Sequence, residues 1–252
     1  GSRYTVSIKT DGTLWAWGQN SYGQLGLGNT TYYSSPKQVG ALTNWLSVSC
    51  GYYHTVSIKT DGTLWSWGYN SYGPLGLNNI TNYSSPKQVG ALTNWLSVSC
   101  GYSFTTSIKT DGTLWSWGYN NNGQLGLGNT TNYSSPKQVG ALTNWSSVSC
   151  GQFHTVSIKT DGTLWSWGNS AYGQLGLNNT TDYSSPKQVG ALTTWSSVSC
   201  GGYHTVSIKT DGTLWSWGQN NNGQLGLGNI TYYSRSEEHT SELQSRETIS
   251  YA

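Results

Sequence analysis

The sequence contains no methionine and little charge, with 9% charged residues and a net charge of +2 over 252 residues. Its lysines occur singly and form no basic stripe, so nucleic acid is not expected as a partner. No run of about 18 apolar residues occurs, so no membrane-spanning helix is expected. A signal-peptide pattern is also missing, which leaves the compartment open, with a secreted or cell-surface location among the options.

Cysteine is scarce, and all four copies occupy one repeated position, at Cys50, Cys100, Cys150 and Cys200. A disulfide needs two Cα atoms about 4.4–6.8 Å apart, and a shared repeat position does not by itself bring neighbouring copies that close. We expect each cysteine to be a small, buried, apolar residue. Four cysteines at one repeat position therefore do not decide the redox compartment.

Aromatic residues are abundant, with 14 Trp and 18 Tyr, and they recur with a period of 50 residues. The block 51–100 returns almost unchanged at 101–150 and 151–200, with partial copies at 1–50 and 201–234. A period of this size indicates a solenoid, a propeller or an array. A uniform repeat without a change of composition predicts a single domain over residues 1–234.

The repeat stops after Ser234, where Ser-Pro-Lys-Gln-Val is expected and Arg235 begins a different sequence. Residues 235–252 resemble the reading-frame translation of a common sequencing adapter, with RSEEHTSELQS at its start and ISYA near its end. We expect this segment to be a non-native, disordered tail and assign it no function.

Each full copy predicts four short strands. Leu46–Cys50, His54–Lys59 and Leu64–Gly68 alternate apolar and polar residues, as half-buried strands do. Pro86–Val89 is a fourth strand, whose proline suits a sheet edge. Asp61-Gly62 between two alternating runs predicts a hairpin with a type I′ turn. Four antiparallel strands in a meander describe one blade of a β-propeller, so the fold class is all-β.

The strands are not complete in every copy. Three copies have all four strands, the first copy lacks the first strand, and the last copy lacks the fourth. The end pieces duplicate their middle strands, so they cannot merge into one closing blade. We therefore expect an open arc of about five blades.

The repeat also has a family resemblance. The segment SVSCGYYHTVSIKTDGTLWSWGYN at 47–70, continued by NGQLGLGNTTNYSSPKQV at 122–139, resembles the regulator of chromosome condensation repeat. The resemblance implies a seven-bladed propeller, of which the arc is a part. Ultraviolet-sensing relatives carry Trp just after the glycine where this chain has Tyr52, Tyr102, Gln152 or Gly202, so light sensing is disfavoured.

Candidate chemistry is sparse. Cys50 and His54, like two later copies, combine two zinc-ligand types, but Tyr4 and Phe104 replace the histidine elsewhere. We favour a structural histidine that begins a strand and bonds to a neighbouring turn. Asp61 and its copies are typical turn residues, and no second carboxylate recurs beside them for general acid–base catalysis. No serine has a recognisable general base and orienting partner for nucleophilic catalysis. We expect no catalytic, metal-binding or cofactor-binding residue and no enzymatic activity.

The paired tryptophans, such as Trp65 and Trp67, are expected to pack between blades. We expect the two rings of a pair to point to opposite faces of the sheet, since successive strand residues alternate. This placement favours a core role over a stacking platform for sugars.

The copies differ mainly in the connections after the first and third strands and at the position of Asn82. In an antiparallel meander these connections emerge on one face, while the Asp-Gly turns form the other, nearly constant face. The varied positions use Tyr, Asn, Ser, Gln and Gly, a composition typical of binding loops. The candidate partner-binding residues are Tyr52, Tyr53, Tyr69, Asn70, Tyr72, Tyr102, Phe104, Tyr119, Asn121, Asn122, Phe153, Asn169, Tyr172, Tyr203, Gln219, Asn221 and Asn222.

The leading hypothesis is a non-enzymatic recognition scaffold that binds a protein or a glycan through the varied face. Drift on unconstrained surface loops is the alternative explanation for the variation. Propellers similar to this one act as nucleotide-exchange factors for a small GTPase, as ligase-associated domains and as bacterial enzyme inhibitors. An exchange factor is the second hypothesis, although no blade has an inserted wedge. An enzyme or a metal-binding protein is the third and least favoured.

Overall fold

The computed structural model describes residues 1–235, which form strands without any helix. The rest of the adapter-like tail lies outside the described residues. The strands are β1 Tyr4–Ile8, β2 Leu14–Gly18, β3 Tyr33–Gln38, β4 Trp45–Cys50, β5 His54–Lys59, β6 Leu64–Gly68, β7 Tyr83–Gln88, β8 Trp95–Cys100, β9 Phe104–Lys109, β10 Leu114–Gly118, β11 Tyr133–Gln138, β12 Trp145–Cys150, β13 His154–Lys159, β14 Leu164–Gly168, β15 Tyr183–Gln188, β16 Trp195–Cys200, β17 His204–Lys209 and β18 Leu214–Gly218.

These strands form five antiparallel sheets, each a meander in chain order. Blades 2, 3 and 4 have four strands each, β4–β7, β8–β11 and β12–β15, whereas blade 1 (β1–β3) and blade 5 (β16–β18) have three. Within residues 1–235, the predicted four-stranded blades are confirmed, and the first and last copies lack the first and the fourth strand, respectively, as predicted. The architecture is an open arc of five blades.

The fourth strand is longer than predicted. It begins at Tyr83, three residues before Pro86, and Tyr83 pairs with Gly68 while Lys87 pairs with Ser66. The register shifts between Ser66 and Gly68, and this bulge lets the chain stay paired across an irregular step. Pro86 lies on an edge strand, as its missing N–H requires.

The Asp-Gly turn also differs from the prediction. Lys59 N–H donates to Thr63 O at 3.0 Å and Gly62 N–H donates to Lys59 O at 2.9 Å, so three residues form the loop. Only Gly62 has a positive φ there, at 76°. This is a type I turn followed by a left-handed glycine, not a type I′ turn.

Side-chain hydrogen bonds explain the constant Thr-Asp-Gly-Thr-Leu-Trp sequence. Asp61 Oδ1 accepts from the backbone N–H of Thr63 at 2.9 Å and from its hydroxyl at 2.6 Å. That hydroxyl in turn accepts from Trp65 Nε1 at 2.9 Å. These hydrogen bonds hold the pKa of the Asp61 carboxyl below its usual range. The same chain of bonds occurs in all five blades.

The core lies between the blades. Trp45 makes edge-to-face contacts with Trp65 at 6.2 Å and Trp67 at 5.9 Å between ring centroids. The two rings of the pair therefore lie on the same face of β6, because they are two residues apart, and the expectation of opposite faces was wrong. Packing between blades is confirmed, since Trp67 is fully buried with Leu14 and Leu25 of blade 1. Burying such rings stabilises each joint between blades.

A backbone carbonyl in the Gly-rich loop after the third strand accepts hydrogen bonds from the next blade, and we call this contact between blades the hook. The carbonyl of Gln24 in blade 1 accepts from Thr55 Oγ1 at 2.8 Å and from Trp67 Nε1 at 2.9 Å, both in blade 2. A Cβ on Gly26, whose φ is 75°, would lie 2.7 Å from Trp67 Nε1. The hook recurs at the other three joints, with the carbonyls of Pro74, Gln124 and Gln174 as acceptors.

Candidate binding face

The connections that follow the first and third strands of each blade lie on one surface, which we call the loop face. Tyr22 follows β2 of blade 1, which is the equivalent of the third strand of a four-stranded blade, whereas Tyr53 and Tyr69 follow β4 and β6 of blade 2. The Tyr22 ring lies 5.0 Å from each of the other two, edge to face. The prediction that these two kinds of connection share a face is confirmed.

Ring contacts continue from blade to blade without a break. Tyr52 joins Tyr53 to Tyr102, with centroid separations of 4.5 and 4.6 Å, and Tyr102 lies 5.4 Å from Phe153. We call the whole set the tyrosine belt: Tyr22, Tyr52, Tyr53, Tyr69, Tyr72, Tyr102, Tyr119, Phe153, Tyr172, Tyr203 and Tyr232.

Most rings of the belt are half-buried against one another, so each presents an edge or part of a face to solvent. Tyr72 and Tyr232 are the most exposed, at 41% and 44%. Burial raises the pKa of Tyr53, Tyr102 and Tyr203 above the ordinary value. These phenols are therefore neutral near pH 7 and act as hydrogen-bond donors.

The loop face has almost no charge. In the connections that form it, the charged residues are Arg3 and Asp182. Asp182 accepts from Ser170 N–H at 2.7 Å and from the Asn169 amide at 3.2 Å, so its carboxylate is partly occupied within the protein. The loop face is thus neutral, aromatic and rich in amides and hydroxyls.

The belt contains nine of the predicted partner-binding residues, namely Tyr52, Tyr53, Tyr69, Tyr72, Tyr102, Tyr119, Phe153, Tyr172 and Tyr203. Six more lie beside it in the same connections: Asn121, Asn122, Asn169, Gln219, Asn221 and Asn222. The prediction omitted Tyr22 and Tyr232. Tyr22 occupies the same repeat position as Tyr72 and Tyr172, so alignment of the first copy with the others is a signal that identifies it.

Two predicted residues, Asn70 and Phe104, lie in the interior with no exposed surface. Asn70 stabilises its own loop through two hydrogen bonds to the backbone. Its amide donates to Asn79 O at 3.0 Å, and its Oδ1 accepts from Leu75 N–H at 3.1 Å. Phe104 packs with Leu125 and Cys150 in the joint between blades 3 and 4. Both side chains point inward, so neither belongs to the exposed surface of the loop face.

Two histidines, His54 and His154, are also interior. His54 begins β5, as predicted, but its Nε2 lies 3.1 Å from Thr105 Oγ1 on strand β9 of the next blade instead of bonding to a turn. Burial lowers the pKa of His54 and His154 to about 3. Both rings are therefore neutral at physiological pH.

The first strands of blades 2 to 5 line an open cleft of about 420 Å³, with the cysteines, their following glycines and Tyr52, Tyr102 and Gln152 along it. All four cysteines are free, and burial raises the pKa of Cys150 to about 11 and that of Cys200 to about 12. The thiols of Cys150 and Cys200 therefore stay protonated near pH 7. Within residues 1–235, no three His, Cys, Asp or Glu side chains lie close enough together to hold a metal ion.

Known proteins share both the sequence repeat and the fold. The ultraviolet-B receptor UVR8 of Arabidopsis thaliana is 41% identical over 56 residues, which cover 21% of this chain and 13% of that receptor. Human WBSCR16 superimposes with a TM-score of 0.84 at 21% identity, over 94% of this chain and 64% of that one. Yeast RCC1 (Prp20), solved with Kap60, superimposes with a TM-score of 0.83 at 19% identity, over 93% of this chain and 58% of that one.

The repeat profile described as "Regulator of chromosome condensation (RCC1) repeat" matches residues 11–58, 61–108, 111–158, 161–208 and 211–240. A second profile of the same description matches 45–73, 95–124, 145–174 and 195–224. These matches follow the 50-residue period of the blades. The chain therefore belongs to the regulator of chromosome condensation (RCC1) repeat family.

Proposed function

We propose that this chain is a non-enzymatic recognition scaffold that binds a protein partner through the tyrosine belt. The unbroken series of ring contacts across all five blades is the observation that supports this function most directly. Tyrosine is enriched at protein interfaces, because it offers a large contact area with few rotatable bonds and a hydroxyl for hydrogen bonding.

The scaffold behind the belt favours recognition because it holds the rings rigidly. In blades 2, 3 and 4 each connection starts and ends in a paired strand, and the hooks tie neighbouring blades together. Preordered side chains lose little conformational entropy on binding. Yeast RCC1, which shares the fold, has been solved bound to the protein Kap60, and this precedent favours a protein over a glycan as the class of partner.

The test compares the two faces of the same molecule. The belt variant is Tyr52→Ala with Tyr69→Ala, and the control is Leu42→Ala with Leu92→Ala, which removes two side chains that are 47% and 48% exposed on the opposite face. Partners are selected from a displayed protein library and an immobilised glycan panel. We expect the belt variant to lose selected protein partners and the control to keep them. If the belt variant kept its protein partners and the control lost them, binding would occur on the opposite face and the proposal would be wrong.

A further inference from the structure

The sequence Asn-Asn-Asn-Gly-Gln-Leu occurs twice, in the long loops of blades 3 and 5. Each copy contains an Asn-Gly pair, Asn122-Gly123 or Asn222-Gly223, and no other Asn-Gly pair occurs in the chain. The backbone is also alike, with φ of 76° at Gly123 and 72° at Gly223. A difference in reactivity between the two pairs must therefore come from what lies against them.

An Asn-Gly pair reacts with itself without an enzyme. The glycine backbone nitrogen attacks Cγ of the asparagine, the Cγ–Nδ2 bond breaks, and ammonia leaves with the proton of the attacking N–H. Water then opens the resulting succinimide to aspartate or isoaspartate. The loop must first open locally, because in the closed loops Gly123 N–H donates to Asn120 O at 2.9 Å and Gly223 N–H donates to Asn220 O at 3.1 Å.

Blade 4 holds the loop of blade 3 closed. A Cβ on Gly123 would lie 2.5 Å from Ser184 Cα of blade 4, so this glycine is packed against the next blade. The following residue belongs to the hook, where Gln124 O accepts from Thr155 Oγ1 of blade 4 at 2.9 Å. Opening of the loop around Gly123 must disrupt these contacts between blades.

The loop of blade 5 has no such contacts. No blade follows blade 5 within residues 1–235, so its loop has no hook. Asn222 and Gly223 are both exposed, and apart from its chain neighbours no described atom lies within 4 Å of a Cβ placed on Gly223. Asn122, in contrast, is half-buried, and its amide donates to Asp182 Oδ2 of blade 4 at 3.4 Å. The blade 5 loop therefore opens at a lower cost in free energy.

We propose that Asn222 is a modification site, which deamidates spontaneously through a succinimide with Gly223, whereas blade 4 protects Asn122 in the same sequence. The product is a carboxylate on the otherwise almost uncharged loop face, at one of the predicted partner-binding residues. The charge of this face thus changes as the chain ages. The inference does not depend on the proposed function, since the reaction needs no partner.

The chain offers substitutions that separate the causes. Asn222→Tyr introduces the residue found at this repeat position as Tyr172, so it removes the reactive amide with a side chain that another blade accepts. Thr155→Val removes one hydrogen bond of the hook at Gln124 O. It should speed the reaction at Asn122 and leave Asn222 unchanged.

The experiment compares the two sites within one molecule. The full chain is kept at pH 8, and samples are digested with trypsin, which cleaves after lysine and arginine and places the two sites in separate peptides, 110–137 and 210–235. Fragment spectra locate the gain of one mass unit. In the folded chain we expect Asn222 to deamidate at least fivefold faster than Asn122, and in urea less than twofold faster, because both loops then lack their surroundings.

The Asn222→Tyr variant should lose the fast reaction in the second peptide, while its Asn122 stays slow. Equal rates at Asn122 and Asn222 in the folded chain would overturn the inference. So would a folded Asn222 that keeps its amide over the time in which the chain in urea loses it.

Discussion

Two joints of the same arc differ in one ring. The ring belongs to the first residue of the second strand in a four-stranded blade. Between blades 2 and 3 this residue is His54, whose Nε2 lies 3.1 Å from Thr105 Oγ1. Between blades 3 and 4 it is Phe104, fully buried against Leu125 and Cys150. The surrounding hook is the same, with Thr105 and Thr155 each donating to a loop carbonyl of the preceding blade. The joint thus requires a ring of suitable volume and accepts either a polar or an apolar one.

The His54 joint and the Phe104 joint differ in how their stability depends on pH. Burial lowers the pKa of His54 to about 3, while an unfolded histidine titrates near its ordinary value of about 6.5. Between these values the unfolded chain binds the proton and the folded chain does not, so stability is complete above about pH 6.5 and falls as the pH falls toward 3. The Phe104 joint has no such dependence.

Removal of the apolar ring is expected to have the largest effect. Phe104→Ala leaves a cavity in a fully buried joint and should lower the free energy of unfolding by about 3–5 kcal/mol. Urea denaturation followed by tryptophan fluorescence measures this loss. Phe104→Leu, which keeps most of the volume, serves as the control and should cost clearly less, and equal losses in the two variants would contradict a role for ring volume.

Acidification should weaken the two buried-histidine joints, at His54 and at His154, whose pKa is likewise lowered to about 3. At pH 5 each ring is expected to cost about 2 kcal/mol relative to pH 7, at about 1.4 kcal/mol per pH unit. The measurement is the free energy of unfolding across pH 4–8. The variant His54→Phe with His154→Phe should flatten this profile, and an unchanged profile would assign acid sensitivity to other groups.

Phe104→His should convert the apolar joint into a third pH-sensitive one. Thr155 occupies the position of Thr105 on the next blade, so it can bond to the new imidazole. We expect a small loss of stability at pH 7 and an additional loss of about 2 kcal/mol at pH 5. An acid profile that is parallel to that of the original chain would mean that the new ring is solvated or displaced.

The smallest expected effect isolates the histidine hydrogen bond. Thr105→Val and Thr155→Val both remove a bond to a loop carbonyl, at 2.8 and 2.9 Å, but Thr105→Val also removes the partner of His54. The difference between the two losses at pH 7 should be about 0.5–1.5 kcal/mol, the net value of one hydrogen bond. Equal losses would show that the imidazole contributes volume alone.

Much of the fold could be predicted because it depends on local alternation and turn residues. The alternation in His54–Lys59 and Leu64–Gly68 predicted both strands with the observed bounds. The start of the fourth strand was predicted too late, at Pro86, because a bulge between the Ser66–Lys87 and Gly68–Tyr83 pairs keeps the chain paired back to Tyr83. The Asp61-Gly62 turn was assigned to the wrong type, because the Asp61 carboxylate holds a three-residue loop in place.

The candidate site was predicted less completely. Variation among the copies located the loop face, but it could not separate exposed rings from interior ones, since Asn70 and Tyr69 are adjacent and point in opposite directions. It also could not show that Tyr22 of blade 1 contacts Tyr53 and Tyr69 of blade 2. Such contacts join residues 31 and 47 positions apart and depend on how blades pack.

The sequence by itself determined the period, the strands of each blade, the missing strands of the first and last sheets and the division into a constant and a varied face. These properties follow from hydrophobic alternation and backbone requirements within one repeat. The tertiary structure alone decided the hooks between blades, the burial of His54 and Phe104 at equivalent places in the joints, and the continuity of the tyrosine belt. Those features arise from packing between repeats, where identical sequence positions meet different neighbours.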